Sequence, residues 1–148
     1  MPESTAFLPS DVRLLLRLEG LVVFALSTAL YARTGTHGIG LFLGLFLLPD
    51  LSMLGYLGGP RAGALVYNAA HTYLLPALLG AAAWFWLGTF WLAVALIWTA
   101  HIGFDRLLGY GLKFPAAFQL THLGAVGRAR RGQPALEPGE NSKLMDDR

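Results

Sequence analysis

Three features of this sequence require an all-α integral membrane protein, a four-transmembrane-helix antiparallel bundle. Apolar residues make up 55% of the 148 and charged residues only 14%, with a mean hydropathy of +0.52. A soluble domain of this length needs more charge to cover its surface. No Asp, Glu, Lys or Arg occurs from Ala62 to Phe104. Finally, four apolar stretches are each about as long as the roughly 20 helical residues that cross a hydrocarbon core.

The first stretch runs from Val12 to Ala32, after an N-terminal segment of residues 1–11. Its apolar part is long, Glu19 lies inside it and no clean small-x-small site follows, so it reads as a span and not as a cleaved signal. The second runs from Ile39 to Leu57 and carries Gly40/Gly44 and Gly55/Gly59, a four-residue spacing that lets helix backbones approach in lipid. The third, Ala62 to Leu79, contains Pro76, which should kink it. The fourth, Trp84 to Phe104, completes a bundle over residues 12–104. The connections "RTGTHG", "GGPRAG" and "LGAAA" are short and rich in turn formers, so successive helices should be antiparallel neighbours. In the segment 105–124, "FPAAFQLTHL" is expected to form an amphipathic turn or two at the cytoplasmic interface. Residues 125–148 read as a solvated, mobile tail.

Orientation follows from the basic residues. With both termini cytoplasmic (N-in/C-in), Arg13, Arg17, Arg61, Arg106, Lys113, Arg128, Arg130, Arg131, Lys143 and Arg148 all fall inside and only Arg33 outside. That places the protein in the cell (inner) membrane, with Trp84, Phe85, Trp86 and Trp91 grouped at the outer end of the third and fourth helices as an aromatic belt. The formal charge is only +2 and no basic run interleaved with aromatics precedes the tail, which excludes nucleic acid as a partner. There is no cysteine, so disulfides, thiolate nucleophiles and Cys-based metal sites are excluded as well.

Glu19, Asp50, Asn68, His71, His101 and Asp105 do not belong in an apolar bundle unless they face one another or water, because each costs several kcal/mol to bury unpaired. Glu19 comes early in a helix leaving the cytoplasm, Asp50 late in one returning, Asn68 and His71 early again, His101 and Asp105 late again. All should therefore converge roughly 8 to 14 Å below the cytoplasmic surface, at a rise of about 1.5 Å per residue. His101 and Asp105 are four apart, Tyr67 and His71 four apart, Asn68 and His71 three apart, so each set shares a helix face. A carboxylate beside a histidine fixes its tautomer and raises its basicity. "DLSMLGY" from Asp50 and "DRLLGY" from Asp105 echo one another, one residue out of register.

At "LLPDLSMLGYLGGPRAGALVYNAAHTYLLP" and "HIGFDRLLGYGLKFPAAFQLTHLG", with the leading "LLRLEG", the chain resembles a family of bacterial membrane proteins catalogued as a domain of unknown function (DUF4260). The resemblance runs roughly from Leu14 to Gly124. It implies a small multi-pass membrane protein and carries no activity, and it includes His122, which a folded-back interfacial segment would bring over the cytoplasmic mouth.

Several functions suit these residues. In one, His71, His101 and Asp50 hold a divalent metal, zinc or non-haem iron, Glu19 and Asp105 act as acid or base, and Tyr67, Asn68, Arg106 and His122 orient a lipophilic substrate. A metal-free version uses a His and carboxylate pair for proton transfer. The alternatives are a purely structural polar network, a small proton-coupled transporter using Glu19, and haem between His71 and His101. Arg106 would mark the cytoplasmic boundary, His37 is a surface histidine, and Tyr56 and Tyr110 pack. Four spans enclose little volume, so either a lateral opening to membrane lipid or a homodimer is expected.

Overall fold

The computed structural model describes residues 9–35, 38–114, 117–121 and 124–125. His37, His122 and, of the expected tail, residues 126–148 lie outside the described residues.

Four helical spans are long and apolar enough to cross a membrane, Ser10–Thr34, Ile39–Gly58, Pro60–Leu87 and Thr89–Leu108. The first is one helix, α1 (Ser10–Thr34). The second is α2 (Ile39–Phe46) followed by a 3-10 stretch, Leu48–Gly58. Pro49 starts that change, since it has no N–H for the carbonyl of Leu45 and its ring crowds the preceding turn. The third is broken near its middle into α3 (Pro60–Ala70) and α4 (Leu74–Ala82), and ends in a π-helical turn, Ala83–Leu87. The fourth is α5 (Thr89–Leu108).

The first and fourth spans pack antiparallel. At one end Arg17 of α1 donates from Nε to the carbonyl of Leu107 (2.9 Å) and from Nη2 to that of Leu108 (3.0 Å), capping α5. At the other, Tyr31 of α1 packs with Phe42, Ala93, Ile97 and Ala100 in the apolar core. Between them the helix backbones touch. A Cβ on Gly103 would lie 2.7 Å from the backbone nitrogen of Phe24, and one on Gly20 2.7 Å from that of Leu107. The second and third spans also pack through glycine, with Gly55 under Val66 and Gly63 under the Tyr56 ring. Leu14, Leu43, Leu65 and Leu78 point outward, as expected when hydrocarbon is the solvent.

Several expectations change. The third span runs through "LGAAA", which is helical and no loop; the turn is at Gly88, whose φ of +86° only glycine adopts without strain. Trp84, Phe85, Trp86 and Trp91 flank that turn and are exposed. Gly55 makes the close approach its spacing foretells, but Gly40 and Gly44 face open space among the described residues. Pro76 does disrupt the third span, with the break one turn upstream at residues 71–73. Beyond α5, in place of amphipathic turns, β1 (Lys113–Phe114), β2 (Ala117–Thr121) and β3 (Gly124–Ala125) pair antiparallel in the order β1-β2-β3. The alternation Phe118, Gln119, Leu120, Thr121 has the period of a strand, and Pro115 disfavours helix in the residue before it.

Because backbone atoms cannot swing aside as a side chain can, Gly103→Ala is expected to destabilise the protein by about 1–3 kcal/mol. Gly44→Ala, in open space, should stay within about 0.5 kcal/mol of the parent. Thermal unfolding of the two variants in detergent checks the contrast.

Candidate metal centre

Four side chains from three spans converge. Asp50 sits in the first turn of the 3-10 stretch, His71 caps α3, and His101 and Asp105 lie one turn apart on α5. One ligand-type atom from each lies within 4.8 Å of all the others. His71 Nε2 is 3.2 Å from His101 Nε2, 3.5 Å from Asp50 Oδ1 and 3.6 Å from Asp105 Oδ2. His101 Nε2 is 3.6 Å from Asp50 Oδ1 and 4.0 Å from Asp105 Oδ2. Both imidazoles are buried, whereas the Asp50 side chain keeps 36% of its surface exposed. The centre therefore has one open side.

The broken third span sets this geometry. Pro76 has no N–H for the carbonyl of Thr72, so helix hydrogen bonding cannot run through. The backbone turns at residues 71–73, and carbonyls that would have been internal to a helix are served from α5 instead. Trp98 Nε1 donates to the carbonyl of Ala70 (2.7 Å), and Arg106 Nη2 to that of His71 (2.9 Å). Arg106 Nη1 also donates to the carbonyl of Tyr110 (2.7 Å). Thus Arg106, in the last turn of α5, is a buried clamp; the His71 carbonyl left by the break and the Tyr110 carbonyl give its guanidinium partners.

The same turn fixes a proton. His71 Nδ1 lies 3.0 Å from the carbonyl oxygen of Tyr67, which can only accept, so Nδ1 carries the hydrogen. In the neutral ring Nε2 is then a lone pair aimed at the other three groups. The Tyr67 ring stacks on His71 at 3.8 Å, and its hydroxyl donates to Asp105 Oδ2 (3.2 Å). His101 is held edge-on by Phe46, and its buried Nδ1 has no hydrogen-bond partner among the described residues. Two carboxylates and two imidazole nitrogens thus face one space, with the buried side chains of Arg106 and Lys113 around it. The group could hold a metal ion. Zinc bonds to nitrogen of about 2.0–2.1 Å imply a tetrahedral N···N edge of about 3.3 Å, and the two Nε2 atoms stand 3.2 Å apart.

The remaining expected site residues lie around or away from this group. Glu19 does not join it and is exposed. The rotation of α1 is set by the contact of Gly20 with α5, and one residue further back the side chain is turned about 100° away. Asn68 stays outside the cluster too. Its Nδ2 donates to the carbonyl of Lys113 (2.8 Å) and its Oδ1 accepts from the Lys113 N–H (2.7 Å), fastening the chain after α5 to α3.

Two participants escape a reading by charge and spacing. Lys113 counted only toward topology, yet it is buried with Nζ 4.8 Å from the centroid of the Tyr67 ring. Trp98, one helical turn before His101, holds the break closed. An indole N–H among aliphatic residues was the available signal, because it needs a partner when buried.

The sequence profile of a family described as Domain of unknown function (DUF4260) matches residues 13–126 of the chain. Neither a curated protein nor a solved structure matches it.

Burial lowers the pKa of Lys113 below the usual lysine value, against an opposing pull from Asp105 and Asp50. The folded state then releases this proton before the unfolded state does, so stability should rise with pH as the ordinary lysine pKa of about 10.4 is approached. Thermal unfolding of the parent and of Lys113→Met from about pH 8 upward checks this, and the variant should lose that part of the slope.

Proposed function

We propose that this chain, which belongs to the DUF4260 family, is a membrane-embedded enzyme built on one divalent metal, zinc or non-haem iron, and that it hydrolyses a lipid-soluble substrate. The observation that carries this is the His71 ring. Its Nδ1–H is tied to a backbone carbonyl and its Nε2 is presented to a second Nε2 and two carboxylates. Metal-ligating histidines are oriented in this way by their other nitrogen.

His71, His101 and Asp50 serve as ligands. Asp105, held by the Tyr67 hydroxyl and the farther of the two carboxylates from His101, serves as general base. A bound divalent ion supplies Lewis acidity and a nucleophile drawn from water. The chain contributes the rest: Tyr67 aims the base, Arg106 and Trp98 hold the turn that presents His71, and the exposed edge of Asp50 leaves a way in. The basic residues support an N-in/C-in orientation in the inner membrane, with the centre toward the cytoplasmic side. The fourth span ends at Leu108, shortly after His101 and Asp105.

Burial of both imidazoles also favours a second reading, a structural staple between three spans. Transport through Glu19 gains no support from a carboxylate standing apart from the cluster.

Elemental analysis of the detergent-purified protein separates these readings. The expected result is one equivalent of metal per chain, lost in His71→Ala and His101→Ala while the fold survives, and retained in Asp105→Asn and Glu19→Gln. Absence of metal from the parent, with collapse of both histidine variants, would establish the staple instead.

A further inference from the structure

Tyr67 is held between two side chains. The His71 ring stacks on it at 3.8 Å, tilted by only 13°, and Lys113 Nζ stands 4.8 Å from its centroid. An ammonium at that height on the His71 side would overlap the imidazole, so the two occupy opposite faces of the ring. Lys113 reaches its face through its backbone, because the two hydrogen bonds with Asn68 fasten it to the residue next to Tyr67 on α3. Tyr67 and Lys113 are both buried, and Asp105 and Asp50 attract the ammonium. At the far end of the ring the hydroxyl donates to Asp105 Oδ2, the same oxygen that faces the two imidazoles. A cation is attracted to the π face of a phenol, and by drawing charge from the ring it makes the O–H a stronger donor.

Distances separate the two carboxylates. Ligand bonds of about 2.0–2.2 Å give a tetrahedral edge of about 3.3–3.6 Å. Asp50 Oδ1, 3.5 Å from His71 Nε2 and 3.6 Å from His101 Nε2, fits such an edge on both sides. Asp105 Oδ2 fits at His71, at 3.6 Å, but stands 4.0 Å from His101 Nε2. Asp105 and His101 share a face of α5, so a small rotation of the Asp105 side chain would complete a tetrahedron of four protein ligands and leave no place for water. The Tyr67 hydroxyl restrains that rotation. An apolar cavity of about 220 Å³ nearby, with Pro49, Ser52, Ala70 and Trp98 on its wall, includes none of the four cluster residues, so the centre opens beside the exposed edge of Asp50 and not into the cavity.

Building on the metal-centre reading, we propose that Lys113 is a positioning residue of the centre: by holding Tyr67 against His71 it keeps the phenol O–H on Asp105 Oδ2, so that this carboxylate stays out of the ligand shell and the fourth position of the metal stays open to water. An open position is what separates a catalytic from a structural site. The test loads the full chain in detergent with cobalt(II), whose visible spectrum reports its ligands, and titrates it with azide, which binds at an open position. The parent should take up cobalt and change its spectrum with azide. In Tyr67→Phe the ring remains and Asp105 is released, so azide binding should weaken about tenfold or more with cobalt still bound. Adding Asp105→Ala to Tyr67→Phe should restore it. Lys113→Met and Lys113→Gln should weaken azide binding in the same direction, and Lys113→Arg, which keeps the cation, should match the parent. An azide response that is the same in the parent, Tyr67→Phe and the neutral Lys113 variants overturns the proposal, and so does a loss in Tyr67→Phe that Asp105→Ala fails to restore. A loss in Tyr67→Phe alone, with both neutral Lys113 variants like the parent, removes Lys113 from the arrangement. A parent that takes up no cobalt refutes the metal-centre reading and this proposal with it, whereas cobalt uptake with an azide response indifferent to every variant refutes the proposal alone.

Discussion

A helix that stops for three residues inside an apolar span is the constraint on which the rest of this structure depends. In hydrocarbon a backbone carbonyl without a donor costs several kcal/mol, so the break at residues 71–73 is tolerated only because side chains of another span satisfy it. Trp98 and Arg106 do so from α5. Their bonds hold α5 against the break and bring His101 and Asp105 to the height of His71. The site and the repair of the helix are one arrangement.

The bundle then has to hold α5 steady from the other side. The Gly20 and Gly103 contact brings two backbones closer than any side chain allows, and Arg17 caps the last carbonyls of α5. Such packing is what association in lipid relies on, where burial of apolar surface gives no driving force. It also turns Glu19 away from the cluster. The 3-10 winding of the second span completes the set, since its three-residue turn carries Asp50 toward His71 and leaves Pro49 and Ser52 on the neighbouring wall. Side-chain cluster and cavity thus draw on neighbouring residues of the same elements.

Much of the centre was legible in advance. Asp50, His71, His101 and Asp105 stand out because an apolar chain spends free energy on each of them, and the i, i+4 spacing of His101 and Asp105 survives in the structure. Glu19 and Asn68 looked equally out of place yet lie outside the cluster. Depth along a helix can be counted from sequence, but rotation about the helix axis is set by the partner it packs on. The burial of Arg106 and Lys113 was hidden for a related reason: a basic residue near a span end is ordinarily solvated, and it is the carbonyl freed by a distant break, or the face of Tyr67, that receives it here.

The sequence by itself determined the number of spans, their approximate limits and the ionisable residues they carry, because hydropathy and the cost of buried charge act residue by residue. Tertiary structure alone decided which of those residues meet, where the third span yields, which nitrogen of His71 bears the proton, and that a cavity lies alongside. These depend on contacts between segments far apart in the chain, and no local pattern encodes the angle at which one helix meets the next.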